Sequence, residues 1–139
     1  MPGRVLGLDV GKARIGVAVS DPDRTVALPA GTIRVAGGIQ DLRAVAELVE
    51  RYEVTEVVVG LPLSLSGERG PAARHSEQFA DGLRAILEVP VHLQDERLST
   101  VEAERGLTAA GADGRARRRS VDQAAASIIL RGYLDRTSG

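Results

Sequence analysis

The sequence contains no cysteine and no tryptophan, and only three aromatic residues: Tyr52, Phe79 and Tyr133. The missing cysteine excludes disulfides, thiolate zinc sites and a cysteine nucleophile. The scarcity of aromatics argues against a stacking platform for bases. It also leaves Val, Leu, Ile and Ala to build the core. Lysine is almost absent: Lys12 is the sole one beside seventeen arginines. No apolar run is long enough to span a bilayer. The N-terminus reaches a strand-like run within a few residues, which leaves no room for a signal peptide. These features predict a soluble, cytoplasmic protein.

The 18 basic and 19 acidic residues nearly cancel, for a net value of −1, which argues against a generic coat for nucleic acid. The distribution is uneven. Between Arg105 and Arg119 five arginines face one aspartate, a local +4, so the rest of the chain carries −5. The 139 residues, 43% of them hydrophobic, suit one globular domain over residues 1–139.

The first well-defined pattern is Val5-Leu6-Gly7-Leu8-Asp9-Val10-Gly11, an apolar run with one carboxylate in it. It predicts a buried strand from Arg4 to Asp9. After a tight connection at Gly11–Arg14, Ile15–Ser20 predicts a second strand, close enough to form a hairpin with the first. Asp21-Pro22-Asp23 marks a turn, and Ala27–Val35, broken by Pro29, predicts a third strand. Ile39, Leu42, Val45, Ala46 and Val49 recur at helical spacing, predicting a helix from about Gln40 to Tyr52. Glu56–Val59 reads as a parallel strand covered on both faces. The polar segment from Leu63 to Gly70 reads as a mobile loop at its C-terminal end. A second helix starts at Pro71 and runs to about Leu87. Val91–Asp95 predicts a fifth strand. Thr100 caps an expected third helix with Glu102 and Glu104 in its early turns. Gly111–Arg119 reads as a loop, and Ser120 with Gln123 as a capping box opening a last helix that runs to about Asp135. The order β-β-β-α-β-α-β-α-α predicts an α/β fold with a mixed five-stranded sheet flanked by helices. Sites in such sheets form at the carboxyl ends of strands.

Three acidic positions fall at such places. Asp9 ends the first strand, where an ionised carboxylate is costly unless paired; its bland alternative is capping the Gly11 turn. Asp95-Glu96 ends the fifth strand. Alternation puts Val91, Leu93 and Asp95 on one face and His92, Gln94 and Glu96 on the other, without saying which acid points at Asp9. Asp122 opens the last helix, where complementing the helix dipole would suffice as a role. Yet Asp122, Ala125, Ala126, Ile129 and Tyr133 form one stripe, so the aspartate heads the apolar face. Three carboxylates from two strand ends and a helix make a hard oxygen site suited to Mg²⁺ or Mn²⁺. A pair of such ions activates water and stabilises the leaving oxygen of a phosphodiester. The arginines Arg115, Arg117, Arg118 and Arg119 immediately precede Asp122, a placement suited to phosphate contact. His75 and His92 have no partner at metal-ligand spacing.

These residues resemble a known family. Leu8-Asp9-Val10-Gly11 followed by Arg14-Ile15-Gly16-Val17-Ala18-Val19-Ser20-Asp21 is similar to the opening of the YqgF/RuvX family, Holliday-junction-resolvase-like proteins to which pre-16S rRNA nuclease activity is ascribed. The resemblance continues through Val59-Gly60-Leu61-Pro62-Leu63, Gly67-Glu68-Arg69-Gly70-Pro71, Asp95-Glu96-Arg97-Leu98-Ser99-Thr100 and Val121-Asp122-Gln123-Ala124-Ala125-Ala126. It implies an RNase H-like fold and a divalent-metal nuclease whose acidic triad falls on Asp9, Glu96 and Asp122, both as catalytic residues and as metal ligands. Nucleic acid is then expected to meet Lys12, Arg14, Arg97, Arg115, Arg117, Arg118 and Arg119. One departure is Ala112-Asp113-Gly114, where a more basic segment is expected.

The first function implied is hydrolysis at the 5′ end of pre-16S rRNA, with structured RNA preferred to branched DNA and the protein a monomer or homodimer. A Holliday-junction resolvase is the second; cutting two strands symmetrically would call for a two-fold dimer. A non-catalytic nucleic-acid-binding module is the third. An actin-like or sugar-kinase ATPase ranks last, because it needs two such domains around its nucleotide.

Overall fold

The computed structural model describes residues 3–98 and 114–137. Among the described residues there are five strands: β1 (Arg4–Val10), β2 (Arg14–Ser20), β3 (Ala27–Arg34), β4 (Val54–Leu61) and β5 (Val91–Asp95). They are joined by helices α1 (Ile39–Arg51) and α2 (Pro71–Ile86), and a last helix, α3 (Gly114–Thr137), follows. The sheet order is β3-β2-β1-β4-β5, with β1–β2 and β2–β3 antiparallel and β1–β4 and β4–β5 parallel. The expected mixed sheet is therefore present. The third helix expected from Thr100 lies outside the described residues.

The two faces of the sheet are both covered, as the continuous apolar runs require. Leu6, Leu8, Ile15, Val17, Val57 and Val59 pack with Val45 of α1 and Ala80 and Leu83 of α2. Val5, Ala18 and Val58 pack on the opposite face with Ala126, Leu130, Tyr133 and Leu134 of α3. Residue parity along β1 thus sends Leu6 and Leu8 toward α1 and α2, and Val5, Gly7 and Asp9 toward α3.

Local signals explain most boundaries. Pro29 sits in β3, an edge strand, where the missing N–H costs little. The β2–β3 register shifts there, with Val17 opposite Gly31 and Ala18 opposite Pro29. Pro71 opens α2 as its first residue. The buried Asp41 carboxylate in the first turn of α1 accepts hydrogen bonds from the backbone N–H groups of Ala36 (2.8 Å) and Gly37 (3.0 Å). That fixes the turn before the helix.

One expectation, the start of the last helix, is corrected. The arginines 115, 117, 118 and 119 belong to α3, which begins at Gly114, and not to a loop. Ser120 is consequently inside the helix and cannot cap it. The segment Leu63–Gly70 is braced by its own hydrogen bonds: Ser64 N–H donates to Glu68 O (3.1 Å), Gly67 N–H to Ser64 O (2.9 Å) and Glu68 N–H to Ser64 Oγ (3.0 Å). No described helix is long and apolar enough to cross a membrane.

Candidate active site

The C-terminal ends of β1, β4 and β5 lie side by side, and the register fixes what stands there. Asp9 pairs with Gly16 across the antiparallel hairpin. Leu8 pairs with Val59 in the parallel direction, so Gly60 lies beside the end of β1. Gly60 pairs with Gln94, and Leu61 with Asp95, which places Glu96 just past the end of β5.

Asp9 is nearly enclosed, at 8% exposure. It shares the α3 face with two glycines. A Cβ on Gly60 would stand 2.9 Å from Glu96 Oε1 and 2.5 Å from Ile129 Cδ1. A Cβ on Gly16 would stand 2.0 Å from the backbone oxygen of Asp122. The bare backbone at these two positions is what allows Glu96 and the α3 segment bearing Asp122 to close on the sheet from opposite sides of Asp9. Both glycines were legible only as interruptions of apolar strands, a pattern that signals close backbone approach.

Asp95 and Glu96 go to different places. His92 stacks on Tyr133 of α3, with ring centroids 5.7 Å apart. Gln94 accepts a hydrogen bond from Arg136 of α3 at 3.1 Å. Glu96 continues this side and lies over Gly60. Asp95 instead serves Arg97, whose backbone N–H (2.9 Å) and Nη2 (2.7 Å) both donate to it. Those hydrogen bonds hold the Asp95 carboxyl below the usual carboxylate range.

Asp122 lies more than two turns into α3 rather than in its first turn. Helix-dipole complementation, which fades beyond the first turn, therefore does not account for it. Its carboxylate accepts a hydrogen bond from Arg14 Nε at 2.7 Å, and both side chains are about three-quarters buried.

The basic residues divide by what they touch. Lys12 is exposed in the β1–β2 connection, at the same end of the sheet as Asp9. Arg14 is engaged with Asp122. Arg97 is engaged with Asp95 and donates from Nη1 to the Leu65 carbonyl at 3.3 Å, tying the Leu63–Gly70 segment to the turn that carries Glu96. The four α3 arginines occupy the helical turns directly ahead of Asp122. His92, expected to be incidental, belongs to a polar cluster at the opposite end of the strands: its Nε2 lies 3.0 Å from Glu56 Oε2, and Arg24 Nη1 lies 2.8 Å from Glu56 Oε1. A cleft of about 550 Å³ between the β2–β3 turn and the C-terminal turns of α3 is also remote from the three carboxylates.

The donor set tests well for a hard cation by chemistry and by placement: three carboxylates at one end of one sheet face. It is not a ready-made cage. Among the described residues no three His, Cys, Asp or Glu side chains are gathered closely enough to hold a metal ion. Asp122 is already engaged by Arg14.

Comparisons with known proteins agree with the architecture. Residues 3–136 match the RuvX family model, described as Holliday junction resolvase. A protein of Roseiflexus sp. (strain RS-1) named "Putative pre-16S rRNA nuclease" is 47% identical over 134 residues, covering 96% of this chain and 95% of that protein. A protein of the same name from Anaeromyxobacter dehalogenans (strain 2CP-C) is 50% identical over 133 residues, covering 96% and 97%. Among solved structures, Thermus thermophilus RuvC in complex with a Holliday junction substrate superposes with a TM-score of 0.61 at 15% identity, covering 98% of this chain and 96% of that one. That likeness establishes the RNase H-like fold.

Proposed function

The chain belongs to the RuvX Holliday junction resolvase family, and on that premise we propose that it is a divalent-metal-dependent nuclease that processes the 5′ end of pre-16S rRNA. The single domain would act in the cytoplasm. The reading is supported by the placement of Asp9, Glu96 and Asp122 at the same end of one sheet face, with Gly16 and Gly60 bare beside them. Relatives at about half identity over nearly their whole length bear the rRNA nuclease name.

In this reading Asp9, Glu96 and Asp122 would hold Mg²⁺ or Mn²⁺, as two ions, and the metal would supply an activated water and stabilisation of the leaving oxygen. The chain's own contribution is positioning. The strand ends fix Asp9 and Glu96, and α3 delivers Asp122 together with Arg115, Arg117, Arg118 and Arg119 for the phosphate backbone. Lys12, Arg14 and Arg97 add positive charge at the same end. Carboxylates in this number repel a bare phosphodiester, so substrate binding depends on the cations.

The test is cleavage of an end-labelled pre-16S rRNA 5′ leader beside single-stranded RNA and a four-way DNA junction, in Mg²⁺, Mn²⁺ and chelator. Metal-dependent cutting of the leader in preference to the junction supports the proposal. Preference for the junction, with a two-fold dimer on sizing, supports the resolvase reading that the family description favours. Binding without cutting would leave a nucleic-acid-binding module.

A further inference from the structure

Arg14 lies in β2, directly after the hairpin connection that follows Asp9. It reaches across 108 positions of sequence to the Asp122 carboxylate, Nε to Oδ2 at 2.7 Å. The same stretch of α3 is seated by its backbone, because the Asp122 carbonyl rests where a side chain at Gly16 would project. Backbone contact thus already positions Asp122 over β2. The ion pair adds something different: it occupies Oδ2 of the carboxylate and offsets its charge.

We propose that Arg14 is an exchangeable counter-ion for Asp122: it competes with a divalent cation for that carboxylate and, once displaced, offers its guanidinium to a substrate phosphate. The inference rests on reading Asp122 as a cation ligand. Three observations support the exchange. The pair is partly exposed, at 27% and 21% of side-chain surface, so water reaches both partners when they separate. The contact uses Nε, and a guanidinium carries further N–H donors suited to phosphate. Arg14 also stands at the same end of the sheet as the exposed Lys12, where a phosphate would meet both.

The exchange has a thermodynamic signature. A cation that takes Asp122 releases Arg14, and a phosphate that takes Arg14 releases Asp122. Each ligand therefore raises affinity for the other, by the same factor in both directions. Removing Arg14 should tighten cation binding and abolish that part of the coupling.

The experiment is calorimetric titration of Mn²⁺ into the wild-type protein, Arg14→Gln, Arg14→Lys and Asp122→Asn, with thermal melting of each to confirm folding. The expected result is Mn²⁺ binding roughly three- to tenfold tighter in Arg14→Gln, the range set by a partly exposed ion pair. Arg14→Lys, which keeps the charge but not the fork, falls between the two. The titration is then repeated with saturating inorganic phosphate as probe. Phosphate should tighten Mn²⁺ binding in the wild type more than in Arg14→Gln.

Equal or weaker Mn²⁺ binding by a folded Arg14→Gln overturns the exchange while leaving the metal-nuclease reading in place. Should Arg14→Gln not fold, Arg14→Lys binding Mn²⁺ no tighter than wild type does the same. Absence of Mn²⁺ binding in every variant overturns the nuclease reading, and the exchange with it. Binding unchanged in Asp122→Asn overturns only the assignment of Asp122 as ligand, and again the exchange falls.

Discussion

The Glu96 carboxylate lies over the Cα of Gly60, one strand away from Asp9. A methyl group at residue 60 would come within 2.9 Å of Glu96 Oε1 and 2.5 Å of Ile129 Cδ1. Both are ends of flexible side chains, so the backbone need not move. Gly60→Ala is therefore expected to fold with a stability loss of about 1–3 kcal/mol, typical of modest overpacking. Cleavage should fall much further, by ~10-fold or more, because Glu96 is displaced from its place beside Asp9. A denaturant melt beside a cleavage assay checks both effects. Activity at the wild-type level would separate Glu96 from the chemistry.

Gly16→Ala should behave differently. Its added methyl meets the Asp122 backbone oxygen at 2.0 Å, and neither backbone can rotate away. The α3 turn carrying Asp122 must lift from β2, at a cost of about 3 kcal/mol or more. Amide hydrogen exchange should report lost protection in the α3 turns around Asp122 while β1 and β4 stay protected. Unchanged protection in α3 would contradict the close approach.

That contrast shows where sequence reasoning reached and where it stopped. Alternation and helical spacing were enough for the five strands, for α1 and α2, and for the apolar stripe from Ala125 to Tyr133. Asp9 and Asp122 were legible because each interrupts or heads an apolar pattern. The choice of Glu96 over Asp95 was not, because alternation separates the two acids without saying which face α3 covers. The start of the last helix was misplaced at Ser120: Arg115, Arg117, Arg118 and Arg119 are good helix formers, and their charge together with the glycines at 111 and 114 made the stretch look like loop. The Arg14–Asp122 pair joins positions 108 residues apart, and no local pattern announces it.

The turn after β2 carries a pH signature of its own. The Asp21 carboxylate accepts hydrogen bonds from the Thr25 hydroxyl (2.6 Å) and from the backbone N–H groups of Thr25 (2.7 Å) and Val26 (2.9 Å). The Thr25 hydroxyl and then the Val26 N–H lower its pKa from 3.8 to about 2. A depressed carboxylate pKa favours folding above the unfolded value, and the contribution disappears as pH falls through the folded one. The stabilisation is therefore complete above 3.8 and is lost on the way down to about 2. Carboxyl-carbon NMR should place the Asp21 midpoint near the lower figure, and Thr25→Ala should raise it. A midpoint close to 3.8 would contradict the turn's hydrogen bonding.

At the other end of β4 and β5, Tyr133 donates its hydroxyl hydrogen bond to Glu56, which also faces Arg24 and His92. Burial and the neighbouring carboxylate push the Tyr133 phenol well above its ordinary pKa. Tyr133→Phe keeps the ring that stacks on His92 and removes only the donor. Glu56 retains its other partners, so the expected loss is about 1 kcal/mol, read by thermal melting. Since this cluster stands away from the carboxylate end, cleavage should be unaffected. A matching loss of activity would show that the two ends are coupled.

The central claim is that Asp9 anchors a metal-dependent phosphodiesterase. Asp9→Asn keeps the volume of a side chain that is only 8% exposed and removes its charge. The most direct measurement is cleavage of the pre-16S rRNA 5′ leader by wild type and Asp9→Asn in Mn²⁺, with circular dichroism on both. Cutting by the wild type that chelator abolishes, and that the folded mutant lacks, is the expected result. A folded Asp9→Asn that cuts as well as the wild type would contradict the account.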